Sequence, residues 1–473
     1  MNRFFLLLLG LGFLACQPPS TETAAPDRPN VLFLFADDQR ASTLLNEAIR
    51  TPNLDRLRAR GLHFTEAYIM GGDNGAVCAP SRAMLHTGRR LGALPEKGFQ
   101  IPEEFPLLGE VLQSAGYQTF GTGKWHNTRS AFNRNFQAGD AIFMGGMGDQ
   151  WTMPLYHYHP DGVYQNSRLR IADPFHNNTL DTLSGEYAIS GKHASEVFAD
   201  AAIEFLQSQE GANDPFFCYV SFTAPHDPRT VPAEYLAGYD VNQIELPPNF
   251  LPEHPFDNGQ LIIRDEQLAA TPRQPDAIRQ HLLEYYAIIT HLDAQIGRIL
   301  DALEASGNAE NTIVVFAGDN GLAVGQHGLL GKQNLYQHSV NVPLLISGPG
   351  LPQNEQRSQL CYLTDLFPTL CELTGAATPS TLDGYSLMPV IEEQRSIRDT
   401  LHFQYKDLQG SIRTGKDKLI RYWVDGEETL QLFDLEADPW EMNDLAPQAP
   451  AQAATLKEAL LRWDRKLGLA ARK

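Results

Sequence analysis

Two stretches constrain the fold of this chain more than any other. Asn30 to Phe35, preceded by Pro29, and Asn311 to Phe316 are continuous apolar runs, the pattern of strands buried on both faces in a largely parallel sheet. Each run ends in oxygen-bearing side chains, Asp37-Asp38 after the first and Gly318-Asp319-Asn320-Gly321 after the second. Adjacent carboxylates at the end of a central strand are costly unless something cationic sits between them, and open α/β sheets bind ligands at that edge. A solvated turn is the plainer reading of Asp-Asp taken alone.

Between and around these runs the pattern alternates in the manner of an α/β domain. Tyr117 to Gly121, Pro215 to Phe222 and Pro343 to Ile346 read as further strands and Phe64 to Tyr68 as a short one. Helices are expected after the Thr51 cap, over Leu107 to Ala115 with Gly116 as cap, His193 to Gln207, Gln274 to Ser306 and Thr364 to Leu373. The long one carries Tyr285, Ile289, Leu292, Ile296, Ile299 and Leu300 on one side. From Asn127 to Lys192 periodicity fades, which suits binding loops or insertions. Past about residue 395, the short runs Leu401 to Tyr405, Ser411 to Thr414, Lys418 to Trp423 and Leu430 to Leu435 predict a small antiparallel sheet, closed by a helix over Ala451 to Leu467.

With 473 residues the chain can bury a large core in one enlarged domain or two, and a net charge of -20 argues against a nucleic-acid partner. Arg3 and the apolar run Phe4 to Leu14 read as a signal peptide. Phe13-Leu14-Ala15-Cys16 resembles a bacterial lipoprotein box with Cys16 as the lipidated residue, although Phe13 departs from the usual Leu and ordinary signal-peptidase cleavage is the alternative. Gln17 to Pro29 follows as a tether. Residues 1–29 are thus expected to be leader and tether, and the protein exported, with contact to a membrane only through that anchor. Cys218 reads as a core thiol, and a Cys361–Cys371 pairing is left open.

The chemistry converges on Cys78-Ala79-Pro80-Ser81-Arg82, just after Gly71-Gly72-Asp73-Asn74-Gly75. Pro80 fits the first turn of a helix, which places Cys78 at a helix N-terminus that favours an anion. A buried structural thiol is the bland reading. The string resembles the maturation signature of the type I, formylglycine-dependent sulfatases of the alkaline phosphatase superfamily, and the resemblance covers nearly the whole mature chain. Gly123-Lys124-Trp125-His126, Ala224-Pro225-His226, Asp37-Asp38 and Gly331-Lys332 are similar to that family's further motifs, in family order.

The resemblance implies an α/β fold with a large mixed, mostly parallel sheet sandwiched by helices over residues 30–395, and a C-terminal subdomain of antiparallel sheet plus helix over 396–473. It implies that Cys78 is oxidised to formylglycine by a formylglycine-generating or anaerobic sulfatase-maturing enzyme. Asp37, Asp38, Asp319 and Asn320, with the modified Cys78, would bind one divalent cation; flexible all-oxygen coordination suits calcium better than magnesium. Arg82, Lys124 and Lys332 would neutralise the sulfate, His226 would be the acid for the leaving oxygen with Lys332 assisting, and His126 the base on the formylglycine hydroxyl.

The expected substrate is a sulfated carbohydrate, a polysaccharide or its oligosaccharides. His327, Trp151, His157 and Arg168 are the candidate sugar contacts, although His327 could simply hold its loop and the insertion could be a structural cover. A phosphate- or phosphonate-ester hydrolase of the same superfamily, and a glycan-binding surface lipoprotein with a decayed site, are the rival readings.

Overall fold

The strand Asn30–Ala36 lies inside an eight-stranded sheet and is buried at every position. This structure, a computed structural model, describes residues 28–166, 168–171 and 180–466; the leader and the lipidation call at Cys16 lie outside them. Across the sheet the order is Glu355–Arg357, Leu62–Phe64, Leu344–Ser347, Thr312–Gly318, Asn30–Ala36, Phe216–Ser221, Gln118–Lys124 and Ala138–Phe143. The last five run parallel. Leu344–Ser347 is antiparallel to both of its neighbours, so the sheet is mixed and mostly parallel.

Register sets where the chemistry falls. Ala36 pairs with Gly318, Phe35 with Ser221, and Ser221 with Gly123. Four neighbouring strands therefore release their next residues at one edge. Side-chain alternation divides the core: Val31, Phe33 and Phe35 join Tyr219 and Val315 on one face, whereas Leu32 and Leu34 meet Phe198, Ile288 and Leu292 on the other. The second face is covered by the helices Ala194–Ser208 and Pro275–Ala305, and all six residues expected on the apolar side of the long helix are buried. Each such large side chain stabilises the fold by about 1.5–3 kcal/mol relative to exposure.

The segment from Asn127 to Lys192 is more regular than its sequence suggests. It holds a helix, Arg129–Asn135, and the edge strand Ala138–Phe143, which is half exposed at its start and carries Gly139 and Asp140, so neither a buried run nor alternation marks it. The strand expected over Phe64 to Tyr68 divides into Leu62–Phe64 and Ala67–Tyr68, which belong to different sheets. Cys218, Cys361 and Cys371 are buried free thiols, so the Cys361–Cys371 pairing is not formed.

Near the C-terminus Thr400–Tyr405, Gln409–Thr414, Asp417–Val424 and Glu427–Asp434 form an antiparallel meander. The helix Pro450–Lys466 covers it through Ala453, Leu456 and Leu460 against Ile412, Leu419 and Leu432. A fifth strand comes from far upstream: Gly71 and Gly72 pair in parallel with Gln404 and Tyr405. Gly71 has φ 100°, and a Cβ there would lie 2.1 Å from the Gln404 carbonyl oxygen. Only glycine permits that approach.

Candidate active site

Everything released at the shared sheet edge converges. Asp37 and Asp38 follow the first strand, Asp319 and Asn320 follow Thr312–Gly318, and Lys124 ends Gln118–Lys124. Cys78 opens the helix Cys78–Thr87, and Arg82 sits one turn further on. The Cys78 Sγ lies 3.2 Å from His126 Nδ1, 3.5 Å from Lys124 Nζ and 4.0 Å from Lys332 Nζ. Asp38 and His126 adopt left-handed backbone, φ 66° and 70°, the kind of strain that collects where a site dictates geometry.

Each of the three carboxylates holds a cation. Lys124 donates to Asp37, Lys332 donates to Asp38 at 2.6 Å, and Arg82 grips Asp319 through Nε and Nη2, both at 2.9 Å. Asn320 Nδ2 donates to Asp38 at 2.6 Å, and the Asp38 amide donates to Asp319 at 3.1 Å. His226 Nε2 is 3.7 Å from Asp38, while its Nδ1 is 2.7 Å from the Asp227 carbonyl oxygen. Three negative and three positive side chains thus cancel.

Burial dominates their protonation. It would raise Asp37, but Lys124, His226 and Arg82 hold that carboxyl well below the usual range. Burial and then the Asp37 charge push Asp319 upward. Burial opposes charge on Lys332, yet Asp38 lifts it well above an ordinary lysine. Burial, reinforced by Lys124 and Arg82, keeps His126 far below its usual value and therefore neutral. Burial also pushes the Cys78 thiol up, against Lys124 and Lys332, so the thiolate is disfavoured.

The oxygen set fits a hard cation. Asp37 Oδ1 and Asn320 Oδ1 are buried without a hydrogen-bond partner, although buried polar atoms are normally satisfied. Asp37 offers a ligand atom within 4.8 Å of others from Asp38 and His226, and likewise from Cys78 and Asp319. Oxygens predominate, as calcium or magnesium prefers.

All ten residues expected to bind metal or carry out the chemistry therefore meet. Arg82 is fully buried, and its guanidinium also donates to the Lys124 carbonyl and the Ser221 hydroxyl; it faces Asp319 from within. Three of the four expected sugar contacts find their partners outside this cluster. His327 is buried and stacked on Tyr336 at 3.9 Å, with Nε2 3.1 Å from Asn249 Nδ2, so it holds its loop. His157 pairs with Asp140 and stacks on Tyr187, on a segment running back from the edge strand's carboxyl end. Trp151 is half-buried against His193. Arg168 lies on the strand Arg168–Ile171, and its side chain is outside the described residues.

Sequence reasoning missed several supports. Phe99, 40% exposed, stands edge-on to the His126 ring at 5.7 Å, and a Cβ on Gly146 would lie 2.7 Å from that ring. Tyr285 donates to the Asp38 carbonyl at 2.8 Å. Glu266 accepts from the amides of Leu330 and Gly331, fixing the Lys332 loop. The apolar stripe containing Tyr285 was the one available signal.

The fold and site together define an α/β enzyme that handles an anionic group at the carboxyl edge of its sheet. The sulfatase family model matches residues 29–376, and a model of the C-terminal part of N-sulphoglucosamine sulphohydrolase matches residues 325–466. The chain belongs to the sulfatase family and is a sulfatase. It is 27% identical to an N-acetylglucosamine-6-O-sulfatase of Bacteroides thetaiotaomicron, over 95% of this chain and 88% of that protein. It is also 27% identical to a sulfatase of Formosa agariphila, over 98% and 94%. Among solved structures, a protein in complex with its substrate D-glucosamine-2-N,6-O-disulfate matches with a TM-score of 0.72 and 22% identity, over 94% of this chain and 99% of that one.

Proposed function

We propose that the enzyme hydrolyses sulfate esters on a carbohydrate, with a formylglycine made from Cys78 as nucleophile and one calcium ion held by Asp37, Asp38, Asp319, Asn320 and the modified Cys78. The observation that carries this reading is the Cys78 thiol, held protonated by burial yet ringed by His126, Lys124 and Lys332 within 4.0 Å. A buried thiol is a poor nucleophile there, whereas an oxygen group at the same place would meet a base and two cations.

Formylglycine at position 78 would supply a hydrated aldehyde as the oxygen nucleophile, and a calcium ion held by Asp37, Asp38, Asp319 and Asn320 would supply polarisation of the sulfate oxygens. The side chains do the rest. Neutral His126 accepts a proton from the group at position 78. Lys124 and Lys332 flank that position and offset charge developing on the sulfate oxygens. His226 gives its proton to the leaving sugar oxygen, with Lys332 assisting, and Arg82 keeps Asp319 oriented. A dication on a cluster whose own charges cancel leaves an excess of positive charge for an anionic ester.

A carbohydrate substrate is supported by the similarity to the N-acetylglucosamine-6-O-sulfatase. The leader and the lipoprotein-type box at Cys16 favour export with a lipid anchor, and Cys78 would be modified by a formylglycine-generating or anaerobic sulfatase-maturing enzyme. The test is sulfate release from a panel of defined saccharides, 6-O-sulfated N-acetylglucosamine among them, with the protein coexpressed with a maturation enzyme. Release from at least one is expected. No release from any, alongside turnover of a simple aryl sulfate, would refute the carbohydrate assignment.

A further inference from the structure

Two residues beyond Asp38, Arg40 lines a cavity of about 580 Å3 between the sheet edge and the C-terminal meander. None of Cys78, Lys124, His126, His226 and Lys332 lines it. Its volume falls within the range of small-molecule sites, roughly 300–1,000 Å3.

The charges on its walls are unevenly matched. Glu66 is paired with Arg413, Glu441 with Lys418, and Lys416 with Asp434. Arg40 and, on the meander side, the exposed Glu436 have no ion-pair partner among the described residues. Arg40 is 5% exposed, its Nε and Nη1 find no hydrogen-bond acceptor, and its guanidinium lies over the Tyr285 ring at 5.1 Å. His338, also buried, leaves both ring nitrogens unpartnered, and Asn249 leaves its Oδ1 unpartnered. A guanidinium stays protonated at any working pH, and an isolated buried charge is strongly unfavourable without a counter-charge. Trp440, 38% exposed, adds an aromatic wall at the lip.

We propose that this cavity is a second, non-catalytic oxyanion site, in which Arg40 takes a carboxylate or sulfate group in its fork and Trp440 backs the molecule that carries it. The planar fork suits two-oxygen recognition. A His338 ring N–H can donate to the oxyanion, and Asn249 Oδ1 can accept only from a hydroxyl of the molecule that carries it. Two sources share the chemistry: an acidic sugar unit, and the inorganic sulfate that the enzyme releases.

The experiment is calorimetric titration of the calcium-loaded protein with sodium glucuronate and, separately, with sodium sulfate. We expect at least one to bind, with a tenfold or greater loss in Arg40→Met and less than a twofold change in Lys332→Met, which alters the catalytic pocket instead. Binding of glucuronate alone assigns the site to an acidic sugar, and binding of sulfate alone to the reaction's product. No binding of either, equal binding in wild type and Arg40→Met, or loss confined to Lys332→Met overturns the proposal. If Arg40→Met does not fold, Arg40→Lys keeps the charge without the fork: a fivefold or greater loss is expected, and unchanged affinity overturns it. No readout depends on turnover.

Discussion

Replacing Arg82 by Met keeps an unbranched apolar body over the Phe35 ring, which the guanidinium now faces at 5.0 Å, and removes the fork. Asp319 then loses one donor, Nε at 2.9 Å, and the Nη2 charge at 2.9 Å, and the Lys124 carbonyl loses one donor at 3.0 Å. Both members of the Arg82–Asp319 pair are fully buried. Breaking such a pair from one side costs about 3–5 kcal/mol, because the surviving charge stays out of water without a partner. A dication bound at Asp37, Asp38 and Asp319 meets that carboxylate instead, so the loss should depend on metal. The assay is urea unfolding of wild type and Arg82→Met, each with chelator and with added calcium. In chelator the variant should be about 3–5 kcal/mol less stable than wild type, and calcium should recover at least half of the difference. A chelated variant within about 1 kcal/mol of wild type, or no recovery with calcium, would refute both the cost assigned to the pair and the metal's place beside Asp319.

Three further outcomes follow from the same geometry. Cys78→Ala should abolish turnover while leaving the unfolding midpoint nearly unchanged, and a hydrazide probe should label wild type but not the variant; an active protein carrying only thiol at Cys78 would contradict this. Phe99→Ala, which removes the ring packed on His126, should lower kcat/KM on a saccharide sulfate and on an aryl sulfate alike by about tenfold, whereas Trp151→Ala and His157→Ala should affect neither, as separate kinetics on the two substrates would show. His193 is held down to about 3 by burial and by His291; it is neutral when folded and protonates when unfolded below about 6.5, so it contributes stability above that pH that is lost as pH falls toward 3. His193→Asn keeps a cap for the Ser195 amide and should remove about 2 kcal/mol of the decline between pH 6.5 and 5, read from thermal unfolding across that range.

How much was legible depended on the physical signal each part leaves in the chain. A strand buried on both faces must be apolar throughout, so Asn30–Ala36 and Thr312–Gly318 announced themselves, and the carboxylates after them followed. The edge strand Ala138–Phe143 is half wet and broken by Gly139 and Asp140, so it leaves neither signature. Motif order brought ten site residues together on paper as they meet in space. It could not show that Arg82 points inward to Asp319, because a side chain's direction depends on what three other strands place around it. His327 misleads for a similar reason: a histidine between Asp319 and Lys332 looks chemical in sequence, but Tyr336 and Asn249 occupy it. Phe99 lies in a segment without periodicity, and only the fold brings it to His126.

The clasp between Gly71–Gly72 and Gln404–Tyr405 imposes a timetable. The loop that carries Cys78 is secured by residues that leave the ribosome long after it, and in the finished molecule the thiol is 1% exposed. A catalyst acting on that sulfur, as proposed for Cys78, would therefore work on a chain whose last sixth, from Thr400 on, has not yet docked. If Cys78 is oxidised as proposed, anything that hastens docking of Thr400–Tyr405 shortens the interval for that step, and a more robust C-terminal sheet would yield a sturdier protein with fewer active molecules.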